Sequence, residues 1–321
     1  MRRLLAGLAA GTFMFATAAC GSSGGSSSTS SSPGGTTTVK VGIIPIVDVA
    51  PLYLGQKEGF YSKRGLKLSM TLAQGGAAIV PGVTSGQFQF GFSNMTSLMI
   101  AQSNGVPVQA IANGVASTGV EGKDFGGLVV KKGSSITSAK QLEGKKVAVN
   151  TLKNINETAV RESVRKAGGD PDKVNFVELA FDQMPAALDK GQIDAAMAVE
   201  PALATMKGQG ATEIASPLVD VAKNLTVAMY FTSASYAQKN PAVVKKFQEA
   251  TAESLAYADA HPDEVRQIVT TYTKTPADVL AQVTLPKWPA DANRSSIEAL
   301  EKLSEQDGLF KTAPDLDKLL P

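Results

Sequence analysis

Val39-Lys40-Val41-Gly42-Ile43-Ile44-Pro45-Ile46-Val47-Asp48-Val49-Ala50-Pro51-Leu52-Tyr53 is the stretch whose reading decides the fold. An apolar, β-branched run reaches a proline and then an acid, and Pro51 stands where a helix can begin; this predicts a buried parallel strand feeding a loop and a helix. Such a loop sits at the carboxyl end of its strand, which in open α/β sheets is where ligands bind. Asp48, the lone carboxylate there, has two compatible readings. It fixes the orientation of a small molecule, or it caps the helix that follows.

Upstream of the strand, Met1-Arg2-Arg3 is a short basic start, and Leu4 to Ala16 is an apolar run too short to span a membrane comfortably. Thr17-Ala18-Ala19 then leads to Cys20, the single cysteine of the chain. The arrangement resembles a bacterial lipoprotein signal, with residues 1–19 removed and Cys20 lipidated. With no second cysteine, no intrachain disulfide is possible. Residues 20–38 are almost wholly Gly, Ser and Thr after Cys20, a composition that buries no apolar surface and reads as a flexible linker. A lipid on Cys20 would therefore tether a soluble domain at the extracytoplasmic face of the cell membrane. Loss of Arg2 and Arg3 takes Lys+Arg from 31 to 29, equal to the 29 Asp+Glu. A formally neutral mature chain gives no reason to expect nucleic acid or an anionic membrane surface as partner.

Downstream, Leu52 to Phe60 reads as a helix and Leu66 to Ala73 as a strand, ending in Gln74-Gly75-Gly76. Paired glycines let backbone approach a ligand and expose amides at the next helix start. Phe88 to Phe92 reads as a strand, with Ser93 and Asn94 in the turn after it, where they cap a helix or face a ligand. Val106 to Ala112 is the next strand, closing on Asn113-Gly114. The order β-α-β-α-β-α-β gathers these polar loops on one edge of a sheet. A second half echoes it: Val147-Ala148-Val149 runs into Asn150-Thr151, and Ile193 to Val199 runs into Glu200-Pro201. Glu200 is thus the counterpart of Asp48, past an apolar strand and before a helix-starting proline, and its carboxylate lines a cleft or is held by the helix N-terminus.

The run Gly42 to Phe60, Gly105-Val106-Pro107-Val108, Leu142-Glu143-Gly144-Lys145-Lys146-Val147-Ala148-Val149 and Gly191-Gln192-Ile193-Asp194-Ala195 with Glu200-Pro201 resemble the SsuA/NMT1-like binding proteins of ABC importers for sulfonates, taurine, nitrate and thiamine pyrimidine precursors. The resemblance implies an α/β, two-lobed periplasmic-binding-protein type II fold with two crossing hinge strands. It implies too that a monomer catches a small-molecule solute between its lobes for an ABC permease. Placed on this chain, lobe 1 comprises 39–126 plus 232–321 and lobe 2 comprises 127–231, with Gly126, Gly127 and Phe231 at the hinge.

The expected ligand-binding residues are Asp48, Gln74, Gly75, Ser93, Asn94, Asn113, Asn150, Thr151, Glu200 and Phe231. Two carboxylates in one closed site disfavour a bare dianionic ligand. The strand ends otherwise offer neutral donors, Asn154 among them, with Lys153 the one cation, so a neutral or amine-bearing solute, heteroaromatic compounds included, is favoured over a sulfonate or nitrate. Tyr53, Phe92, Phe125, Phe231 and Trp288 are aromatic side chains that could stack on it. Removing Asp48 or Glu200 is expected to weaken binding with little change in melting temperature; capping predicts the reverse. One cysteine and one histidine, His261 in a helix-start context, supply no nucleophile–base pair and no metal site, so no enzyme activity, metal or cofactor is expected. A solute sensor without transport and an enzyme on the same fold are the rival classes.

Overall fold

In the computed structural model, which describes residues 35–321, the opening run becomes β1 (Thr37–Ile43), paired in parallel with β2 (Leu66–Leu72) and, at Val41 and Gly42, with β3 (Phe90–Asn94). The proposed signal peptide and Cys20 lie outside the described residues. Thr37 and Thr38, assigned to the linker from composition, instead pair with Leu66 and Lys67, because the ladder extends one turn of the pleat beyond the apolar run.

The first sheet has the order β2-β1-β3-β10-β4, with β4 at Val108–Ala116 and β10 at Thr226–Ser233. The second has the order β7-β6-β8-β5-β9: β5 (Gly126–Val130), β6 (Lys146–Val149), β7 (Asn175–Glu178), β8 (Ala195–Val199) and β9 (Thr212–Ala215). Each sheet holds three parallel strands joined to one antiparallel strand, β10 or β5, that the chain reaches just after crossing from the other sheet. The crossings occupy residues 117–125 and 222–225, and Ser117 N–H donates to the Leu225 carbonyl (2.9 Å), which ties one crossing to the other.

This placement corrects the expected lobe boundaries. β10 is hydrogen-bonded between β3 and β4 along its length, so the return crossing precedes Thr226 and the whole of β10, Phe231 included, belongs to the first sheet. Gly126 and Gly127 are not a loop hinge either. They are buried strand residues opposite Val199 and Ala198, and a Cβ on Gly126 would meet Leu218 at 2.8 Å. Their lack of a side chain serves packing.

Helices cover the sheets: α1 (Ala50–Lys57), α2 (Gly76–Thr84), α3 (Met95–Ser103), α4 (Ile155–Lys166), α5 (Met184–Asp189), α6 (Ala202–Gly208), α7 (Pro217–Val221), α8 (Ala234–Lys239), α9 (Pro241–Ala260), α10 (Pro262–Val269), α11 (Ala277–Leu280), α12 (Arg294–Gln306) and α13 (Leu316–Leu319). Pro51, Pro185, Pro217, Pro241 and Pro262 stand in first turns, where the missing N–H costs no helical bond. In α9, Val244, Phe247, Thr251, Ser254, Leu255 and Ala258 form one buried stripe at helical spacing. Phe247 of that stripe stacks on Phe90 of β3 at 4.0 Å, which adds about 1 kcal/mol beyond area burial. On the other face of the sheet the Phe231 ring fills the space above Gly91, where a Cβ would meet it at 2.5 Å. Phe231 is therefore a core residue at mid-strand rather than a ligand or hinge residue.

Candidate functional site

The carboxyl ends of the two sets of parallel strands meet across a polar seam. On the first side the chain leaves β2 through Gln74 and Gly75 into α2; on the other it leaves β6 through Asn150 and Thr151. Gln74 Nε2 donates to the Asn150 carbonyl (3.3 Å), and a Cβ on Gly75 would lie 2.8 Å from Thr151 Oγ1. A side chain there would have to displace the Thr151 hydroxyl. Ser93 is fully buried, its Oγ 2.1 Å from where a Cβ of Gly76 would stand. Asn94 Oδ1 accepts from Ser97 N–H (2.9 Å), so this residue caps α3. Asn154, at the N-cap of α4, accepts from Ile155 N–H with its Oδ1 (2.8 Å) and reaches across the seam, its Nδ2 donating to Ser97 Oγ (2.9 Å). Asn156, in the first turn of α4, donates to Asn150 Oδ1 (2.8 Å). Of the expected residues, Gln74, Gly75, Ser93, Asn94, Asn150 and Thr151 are thus brought to one seam.

Asp48 lies in a single 3-10 turn, Val47–Val49, between β1 and α1. Neither that turn nor α1 has a side-chain cap, so the capping alternative does not describe Asp48. The residue is 2% exposed, and its Oδ1 has no hydrogen-bond partner among the described residues. Burial, with the Asp124 charge adding to it, pushes the carboxyl up to about 7 against the opposing effect of a backbone hydrogen bond. The surroundings hold the turn firmly. Trp288 Nε1 donates to the Asp48 carbonyl (3.1 Å), which places this tryptophan beside the site, and the Tyr272 hydroxyl donates to the Ile46 carbonyl (3.1 Å) while its ring stacks on Tyr53 at 4.0 Å.

Glu200 follows β8 and is 1% exposed, but its carboxylate is already engaged. Oε2 accepts from Ala204 N–H in the first turn of α6 (2.9 Å), and Oε1 accepts from Thr284 N–H (3.1 Å). Thr284 stands four residues before Trp288 in a segment that packs on the first lobe, where Lys287 bridges to Ala116. The Glu200 carbonyl also accepts from Val47 N–H (3.2 Å). Glu200 therefore joins the lobes and caps a helix with one side chain. Burial pushes its carboxyl up to about 7 even though both amides favour the anion.

Asn113 departs from expectation. It lies inside β4 rather than at a strand end, because β4 continues to Ala116 against β10, and its Nδ2 donates to the Pro289 and Asp291 carbonyls (2.7 and 3.3 Å). The side chain pins the C-terminal segment. Phe125, expected as an aromatic that could stack, is buried in the crossing. Sequence reading missed Asp124, whose carboxylate accepts from Ser117 Oγ, Thr118 N–H and Phe125 N–H within the first crossing (2.7, 2.8 and 3.0 Å). It also missed Tyr230, whose buried hydroxyl has no partner among the described residues, and Tyr272, which holds the turn that carries Asp48. Among the described residues no group of three or more His, Cys, Asp or Glu side chains is placed to hold a metal ion.

Comparison with known proteins gives this geometry a context. The taurine-binding periplasmic protein of Escherichia coli (strain K12) is 26% identical over 226 residues, 70% of this chain and 68% of that one. The 4-amino-5-hydroxymethyl-2-methylpyrimidine phosphate synthase of Aspergillus parasiticus is 24% identical over 226 residues, 66% of this chain and 64% of that one. The sequence matches thus span about two thirds of the length of these relatives. The alkanesulfonate-binding protein SsuA from Xanthomonas axonopodis pv. citri, bound to MOPS, superposes with a TM-score of 0.73 at 15% identity, covering 88% of this chain and 98% of that one. That likeness is one of fold: two lobes with five-stranded mixed sheets, the type II periplasmic-binding-protein architecture. The family model described as NMT1/THI5 like matches residues 46–265, well over half of the chain, and the protein belongs to that family.

Proposed function

We propose that the protein is an extracytoplasmic solute-binding lipoprotein that captures a small organic solute between its lobes, as a monomer, and delivers it to an ABC importer. The observation that carries this reading is the buried Asp48 carboxylate just past the end of β1, its Oδ1 free of any partner among the described residues, in a fold whose two lobes meet along neutral polar side chains. An acceptor so placed favours a ligand with N–H groups, because leaving a buried polar atom unmatched costs about 1–3 kcal/mol. The favoured solute is neutral or amine-bearing, a thiamine pyrimidine precursor among the candidates, which accords with the pyrimidine named in one relative. The taurine named in another, an amine joined to a sulfonate, supports the second reading.

Capture rather than catalysis is supported by the state of the ionisable groups. Glu200 is occupied by two backbone amides, and His261, the one histidine, stacks on Tyr257 with Nδ1 at the Tyr257 carbonyl, on an exposed helix junction. Mass spectrometry of small molecules released from the purified protein tests the proposal, backed by a thermal-shift screen over aminopyrimidines, sulfonates and nitrate. A released or stabilising solute is expected; turnover of that solute to a product would make the protein an enzyme instead.

Anchoring is tested separately. Cys20→Ala is expected to move the protein from the membrane fraction to the soluble one, since a single lipid on a polar leash would be the only attachment. Unchanged membrane association would remove the lipoprotein part of the proposal.

A further inference from the structure

Helix α12 begins at the return crossing and ends against the second lobe. At its start Asn293 N–H donates to Thr226 Oγ1 (2.8 Å), Asn293 Nδ2 to the Asn224 carbonyl (3.2 Å) and Thr226 N–H to Ser296 Oγ (3.0 Å), which fixes the helix where the chain re-enters the first lobe. Its body packs on α3 of the first lobe and on α4 and α7 of the second. At its far end the Asp307 carboxylate accepts from Arg165 Nη2, in the last turn of α4. Two residues before Arg165, Ser163 Oγ donates to Asp220 Oδ2 in α7 (2.7 Å), so the second-lobe side of the pair is firmly held.

Asp307 has no use to its own helix. Backbone groups close the end of α12 by themselves: Gly308 adopts the left-handed conformation, its N–H donates to the Glu305 carbonyl and Leu309 N–H donates to the Ser304 carbonyl (2.9 Å each). A carboxylate at a helix C-terminus also stands against the macrodipole. The side chain is 2% exposed, and its Oδ2 has no hydrogen-bond partner among the described residues. Arg165 has a second acid, Glu162, at 3.5 Å on its own helix. Asp307, among the described residues, has Arg165 as its one ion-pair partner, and that partner belongs to the other lobe.

We infer that α12 is a latch: anchored at the return crossing, it holds the lobes together through Asp307 and Arg165, away from the polar seam and before any solute arrives. The inference goes beyond solute capture. The pair forms in the same arrangement in which Gln74 reaches Asn150 and Asn154 reaches Ser97 across the seam. A helix of thirteen residues is about 20 Å long, so turning one lobe by about 10° crosswise to it carries its far end through roughly 3.5 Å, enough to part the two charges. The latch therefore sets how often the lobes stand apart in the free protein, and through that population the apparent affinity for a solute it never touches.

Hydrogen exchange on the whole protein without added solute tests the latch. It is read at Val47 and Thr284, whose N–H groups are bonded across the lobes to the Glu200 carbonyl (3.2 Å) and carboxylate (3.1 Å). Asp307→Asn is expected to speed exchange of these two amides by about ten- to a hundredfold, the range of one lost charged hydrogen bond, while Met229 and Tyr230 within β10 and Val160 within α4 keep their rates. Arg165→Gln is expected to do the same. The double variant should exchange no faster than the faster single one, because both changes release a single contact. Unchanged exchange at Val47 and Thr284 in both single variants overturns the latch. So does an equal rise at every amide, which would make the pair a support of the fold as a whole. Either result leaves solute capture standing.

Discussion

Asp48→Asn is expected to make the ligand-free protein more stable at pH 8 and to weaken its hold on the native solute by ten- to a hundredfold. The carboxyl titrates near 7 when folded, against an ordinary value of 3.8. Below the lower value it is neutral in both states and costs nothing. As pH rises through the interval the unfolded chain ionises freely and the folded one resists. Stability is then lost at about 1.4 kcal/mol per pH unit, roughly 4 kcal/mol in all, and the loss ends near pH 7. Asparagine removes the charge and keeps the shape, so the variant should melt higher than the wild type at pH 8 and show a flatter decline between pH 4 and 7. The affinity change follows from the proposed role of Asp48 as a charged acceptor for the solute, which asparagine removes. Melting curves across pH together with calorimetry on the identified solute check both halves; a variant that melts lower at pH 8 with affinity intact would return Asp48 to a structural role.

Glu200→Ala is expected to behave differently although the two acids occupy equivalent places in the sequence. Its carboxyl accepts two backbone N–H groups, one from each side of the interlobe contact, and alanine strands both. At pH 5, where the folded carboxyl is largely neutral, we expect a loss of about 2–4 kcal/mol and a melting temperature lowered by about 5–10 °C. The carboxyl is raised to about 7 from 4.5, so the wild type itself weakens as pH climbs through that window, and the deficit of the variant should shrink towards pH 8. This revises the expectation from sequence that Asp48 and Glu200 respond alike. A Glu200→Ala protein with wild-type melting at pH 5 would show that the two amides find other partners.

The first strand, its turn and Pro51 were legible because their signals are local: a β-branched run, a lone acid, and a proline where a helix can start. Gly86, Gly105 and Gly191 carry the same kind of local signal, each following a helix and adopting the left-handed conformation such an end requires. What failed depended on distant partners. Ser93, Asn94 and Asn113 look like loop residues, yet β10 extends the strands that hold them, and nothing near them in the chain announces that strand. Tyr230 lies among apolar neighbours on β10. Its hydroxyl among Val227, Ala228, Met229 and Phe231 was the available signal, a polar group with no obvious use in a core.

The position of β10 also dictates an order of folding. The second lobe is one continuous stretch, β5 through α7, and every strand it needs is present once residue 221 has emerged. The first lobe has its early strands from the start, but β3 and β4 have no contact as sheet neighbours until β10 enters between them. Until then β3 and β4 each present an unpaired edge, the condition that invites pairing with other chains. A long loop closure must precede the reward of those hydrogen bonds, so the first lobe should complete last and slowly. During synthesis, the part of the chain that carries Asp48 is the part exposed longest to misassociation.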